Sequence, residues 1–179
     1  SAQLEATLQR ISGVSGVALT VGGAALTVKP HPDLERDPAP EGPALGVREG
    51  TVVSLDGRQL SPVVGMPSLV SLDPTALAVR DGVVVARLGR DRLARLATGG
   101  EVTDLLAEPG VVAPSVDRFG WVWTASERVD GGLIAVRASD GMRMDVVVDW
   151  LAGQDVRQVR VSRDGARVAV LSAGPEGTQ

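Results

Sequence analysis

From residue 44 onward, short apolar runs alternate with polar residues and with glycine-containing turns. Residues 45–48 and 51–55 flank Glu49-Gly50. Residues 68–71, 75–80, 83–88 and 92–97 follow, with Asp81-Gly82 between the second and third of these runs. A further set covers residues 112–115, 120–126, 133–138 and 142–148, with turns at Gly131-Gly132 and Asp140-Gly141. Runs of four to eight residues rich in valine and bounded by Gly or Asp-Gly predict strands joined by hairpins. The last pair, 157–161 and 167–171, gives way to Gly174-Pro175. Continuous apolar stretches such as Val83-Val84-Val85 predict strands covered on both faces.

The first 43 residues read differently. Leu4, Leu8 and Ile11 recur at helical spacing and predict an amphipathic helix over residues 2–12. Residues 17–21 and 24–28 flank Gly22-Gly23, a pair able to turn a tight hairpin. One helix and one hairpin bury too little surface to stand alone, so residues 1–28 are expected to be the tail of an α+β domain. Residues 29–43 carry Pro30, Pro32, Pro38, Pro40 and Pro43 among acidic side chains, which predicts an extended linker. Strand-rich sequence then occupies residues 44–179.

That stretch repeats itself. Ser71-Leu72-Asp73, Ser115-Val116-Asp117 and Ser162-Arg163-Asp164 each precede three variable and three mostly apolar residues, and their serines fall 44 and 47 residues apart. A period of about 40–50 residues built from short strands is the signature of a β-propeller. The expectation is therefore all-β: an incomplete β-propeller of four-stranded antiparallel blades, three to four in number, behind the helix-hairpin tail. Closing such a ring takes about four to eight blades. The chain would stop half-way through a blade, with an apolar face uncovered at each end of the array. A second polypeptide, or the remainder of a longer one, is expected to complete it.

Composition narrows the chemistry. The net charge of −4 argues against a nucleic-acid partner, which requires clustered basic residues. The chain has no cysteine, which removes disulfides, thiolate metal sites and a thiol nucleophile. Its one histidine, His31, lies between two prolines of the linker, a poor place to hold a catalytic base against a nucleophile. No calcium-loop motif and no isolated carboxylate pair stands out, so no catalytic residue, metal or cofactor is expected. The Ser-x-Asp phrases read as turn-fixing residues whose side chains bond nearby backbone N–H groups.

Aromatic residues are scarce, at three Trp and one Phe. Phe119, Trp121 and Trp123 alternate, so on a strand they would leave one face. They are expected to be mostly buried as filler between blades, the other reading being a stacking platform. Trp150 follows a valine run near a loop. Trp121, Trp123 and Trp150 are the candidates for contact with a partner.

The phrases Pro114-Ser115-Val116-Asp117-Arg118-Phe119-Gly120-Trp121-Val122-Trp123-Thr124 and Val159-Arg160-Val161-Ser162-Arg163-Asp164-Gly165-Ala166-Arg167-Val168-Ala169-Val170 resemble the propeller of the LpqB lipoproteins of actinobacteria. The opening Leu4-Glu5-Ala6-Thr7-Leu8-Gln9-Arg10-Ile11-Ser12-Gly13-Val14-Ser15-Gly16-Val17 resembles the end of the GerMN-type domain that precedes that propeller. The resemblance implies a non-enzymatic protein, lipid-anchored through an N-terminal cysteine outside the cytoplasmic membrane. It also implies a partner, the extracytoplasmic part of a two-component sensor histidine kinase. The expected function is protein–protein interaction in envelope signalling; the alternative is a propeller that binds a carbohydrate or cell-wall ligand.

Overall fold

The computed structural model describes residues 44–56, 58–162 and 165–174, together with the backbone of residues 20–21 and 24–25. The chain divides into two units, Ser1–Pro40 and Glu41–Gln179. In the first, β1 (Thr20–Val21) pairs antiparallel with β2 (Ala24–Ala25), Val21 opposite Ala24. The expected helix over 2–12 and the linker over 29–43 lie outside the described residues.

The second unit is a series of antiparallel sheets, each a meander of consecutive strands. Blade I holds β3 (Ala44–Arg48), β4 (Thr51–Asp56) and β5 (Gln59–Pro62). Blade II holds β6 (Pro74–Arg80), β7 (Val83–Leu88), β8 (Arg92–Leu96) and β9 (Val102–Ala107). Blade III holds β10 (Ser115–Val116), β11 (Trp121–Thr124), β12 (Gly132–Arg137) and β13 (Arg143–Val147). Blade IV holds β14 (Asp155–Val161) and β15 (Val168–Ala173). The leading strands neighbour one another in chain order, β3 beside β6, β6 beside β10 and β10 beside β14, so each blade begins at the inside of the array. This is the layout of an incomplete β-propeller.

The valine runs explain the stacking. Side chains alternate across a strand, so a strand lying between two neighbours must be apolar at every position. On β7, Val85 joins a core with Leu93, Val116, Val122 and Ile134, between blades II and III. Its neighbours Val84 and Ala86 point the other way, into a core with Val52 and Leu69, between blades I and II. A third core, of Ala125, Leu133, Leu151 and Val159, joins blades III and IV. On the last blade Arg160, Ala169 and Leu171 lie exposed.

Blade II departs from the predicted strands. Residues 68–71 form no strand: the Leu69 amide donates to the Gly50 carbonyl at 2.7 Å, and the Leu72 amide folds back onto Leu69. Fully buried Leu69 instead plugs the joint between blades I and II. The fourth strand is β9, whose exposed Thr103 and Asp104 gave it no apolar run. The Ser-x-Asp repeat is displaced as a result. Ser71 and Asp73 lead into the innermost strand β6, whereas Ser115 and Asp117 span the end of β10 and its turn to β11. The shared feature is the turn itself, with Gly120 N bonding Asp117 O and Gly165 N bonding Ser162 O. Asp117 therefore corresponds to Ser162, two residues out of step with the sequence repeat.

Gly50 has φ +71°, and a Cβ placed on it would lie 2.6 Å from the Val70 backbone. Gly50→Ala is expected to cost about 2 kcal/mol or more, from overpacking combined with a left-handed backbone. Urea denaturation checks this, and an unchanged midpoint would show that the joint between blades I and II yields easily.

Candidate functional site

The aromatic stretch folds around Asp117, which is only 4% exposed. A buried carboxylate is tolerated only when its oxygens are satisfied. Asp117 Oδ1 accepts from the backbone N–H of Phe119 at 2.8 Å and of Trp121 at 3.0 Å, and Oδ2 accepts from Trp123 Nε1 at 2.9 Å. The turn is thus pinned at three points, and the Trp123 ring is locked against the core between blades III and IV.

Phe119 does not share a strand with the tryptophans. It sits in the β10–β11 turn, 63% exposed, with the Arg118 guanidinium 4.9 Å from its ring centre. Trp121 is partly buried on β11 opposite Arg137, whose guanidinium lies 5.5 Å from the indole. Trp150 is 64% exposed on a 3₁₀ turn, Asp149–Leu151, that buried Leu151 anchors. Only Trp150 among the three candidates is well exposed, and none of them lines the cleft described below.

Arg137 is held by Asp140 through paired bonds of 2.9 and 2.6 Å. That side-chain bond, followed by the Met142 backbone N–H, holds the Asp140 carboxyl below the usual carboxylate range. A depressed pKa contributes stability above the unfolded value, about 3.9, and the contribution is lost as pH falls through the folded value. NMR titration should therefore place the Asp140 midpoint below 3.9, and Arg137→Gln should move it upward. A midpoint indifferent to that substitution would show the pair to be transient in solution.

A cleft of about 500 Å³ opens where blades II, III and IV meet. In a meander, the second turn and the exit from the fourth strand emerge at the same end. The β7–β8 turn, the β11–β12 loop and both blade-to-blade connections therefore converge there. Arg87 and Arg90 come from blade II, Glu127 and Asp130 from blade III, and Asp155 and Arg157 from the entry to blade IV. Arg87 Nη1 donates to Val111 O at 3.1 Å and its Nε to Thr75 Oγ1 at 2.7 Å. Asp130 Oδ1 accepts from Gly153 N at 2.9 Å. Arg90 reaches Glu127 at 3.5 Å and Arg157 reaches Asp155 at 2.6 Å.

None of these six residues stood out in the sequence, where each is one charged strand or turn residue among many. Their grouping depends on which turns share an end of the blades, and the displaced repeat hid that order. Beside the cleft, Glu108 on the connection from blade II accepts from Arg143 of blade III at 2.6 Å, tying the two blades at their rim. Among the described residues, no group of His, Cys, Asp and Glu could hold a metal ion. His31 lies outside them. Nor, among those residues, is any helix long and apolar enough to cross a membrane.

Consecutive antiparallel blades with their leading strands side by side define a β-propeller, here an incomplete one, with a polar cleft at one end. The family model of the lipoprotein LpqB β-propeller domain matches residues 50–178, and the chain belongs to that family. No curated protein and no solved structure shows significant similarity to it.

Proposed function

We propose that this chain is a non-enzymatic binding domain that mediates protein–protein interaction in envelope signalling. In this reading the full-length protein is lipid-anchored on the extracytoplasmic face of the cell membrane. There it contacts the extracytoplasmic domain of a two-component sensor histidine kinase and modulates its output. The observation that carries the reading is the match to a lipoprotein propeller family over residues 50–178. A charged cleft between blade ends and an exposed Trp150 supply surfaces suited to a protein partner.

The test is cross-linking of the full-length protein in intact envelopes, followed by identification of whatever is retained. Recovery of a membrane sensor kinase, reduced when its extracytoplasmic domain is deleted, is the expected result. Retention of glycan with no kinase would replace this reading with the carbohydrate one. Turnover of an ester, peptide or glycoside that a point substitution in this chain abolishes would overturn the non-enzymatic assignment.

A further inference from the structure

The cleft between blades II, III and IV has a chemistry that selects among ligands. Its rim carries three guanidinium groups, of Arg87, Arg90 and Arg157, and three carboxylates, of Glu127, Asp130 and Asp155. A polyanion that paired with the arginines would meet the carboxylates across the opening, and a polycation would meet the reverse. Both pay for like-charge contact. The lining between them is apolar at Val111, Val112, Ala125 and Val156, and it includes no aromatic ring on which a sugar could stack.

The volume, about 500 Å³, falls within the 300–1,000 Å³ typical of sites for small ligands. Two rim groups are already oriented, Arg87 by Val111 and Thr75 and Asp130 by Gly153. Prior orientation of this kind lowers the entropic cost of binding. Arg87 has a further guanidinium nitrogen and Asp130 a further carboxylate oxygen beyond those bonds.

We propose that this cleft binds a short extended peptide segment of a partner protein, one bearing both acidic and basic side chains around small apolar ones. Opposite charges already lie side by side on the rim, Arg90 with Glu127 at 3.5 Å and Arg157 with Asp155 at 2.6 Å. A segment of three or four extended residues, at most about 10–14 Å long, therefore has to present both signs to exchange with these exposed pairs. The inference rests on the binding-domain reading above and is independent of the kinase as partner.

The test uses the labelled full chain and an array of all tetrapeptides built from Ala, Glu and Lys, blocked at both ends. Sequences containing both Glu and Lys should be retained at least tenfold better than those with charge of one sign. Glu127→Gln and Arg157→Gln, each checked for an unchanged melting temperature, should remove that preference. Both side chains are largely exposed, so the fold should survive the changes. Retention that follows net charge alone, that is absent, or that persists in both variants would overturn the inference. So would full displacement by a neutral N-acetylglucosamine oligomer. Absence of the array preference in the native chain with kinase capture intact rejects the cleft alone, while the preference without kinase capture rejects the kinase.

Discussion

Trp123→Ala is expected to destabilise the propeller by about 3 kcal/mol, at the lower end of the usual cost of removing a core aromatic because the ring keeps some exposure. Two losses combine. The indole leaves a gap beside Ala125, Leu133, Leu151 and Val159, which join blades III and IV. Its Nε1–H also leaves Asp117 Oδ2 without the 2.9 Å bond that helps to hold a buried carboxylate. Trp123→Phe separates the two, because it restores most of the packing and none of the hydrogen bond. Urea denaturation should rank Phe between alanine and the native residue. A melting temperature unchanged in Trp123→Ala would mean that blades III and IV do not depend on this ring, and Trp123 would then be better read as a contact residue.

Asp117→Ala should cost a similar amount, on the order of 3 kcal/mol, by a different route. It strands three donors together, the backbone N–H groups of Phe119 and Trp121 and the indole N–H of Trp123. Each unsatisfied donor costs about 1–3 kcal/mol when fully buried, and the two backbone groups have partial access to water. Asp117→Asn keeps one acceptor oxygen, which can serve the two backbone amides, so it should recover about half of the loss. The pair Trp123→Phe and Asp117→Asn should couple by roughly 1 kcal/mol in a double-mutant cycle, since the two residues share one bond. Strict additivity would dissociate the turn from the ring. Equal destabilisation by Asn and Ala would show that charge, rather than acceptor geometry, holds the β10–β11 turn.

These two residues also show how far the sequence reached. Alternation placed Trp121 and Trp123 on one face of a strand, and both lie on β11. The same rule placed Phe119 with them. It failed there because a carboxylate two residues earlier captured the backbone and closed a turn before the strand began. The sequence reading assigned Ser-x-Asp phrases to turn fixing, and Asp117 does this through its side chain. Asp73 instead takes φ +47° and offers its backbone carbonyl to Gly89.

What the sequence determined by itself was the architecture: valine runs, Asp-Gly turns and a spacing of 44 to 47 residues require sheets covered on both faces and repeated along the chain. Those signals are local, set by side-chain alternation and by the few residues that tolerate a positive φ. Only the tertiary structure decided where each blade begins. That choice depends on whether a short apolar segment finds a partner strand or a joint to fill, and residues 68–71 filled a joint around Leu69. It also decided which charges meet. Arg87, Asp130 and Arg157 are far apart in the chain, and they share a cleft because alternate turns of successive meanders emerge at one end.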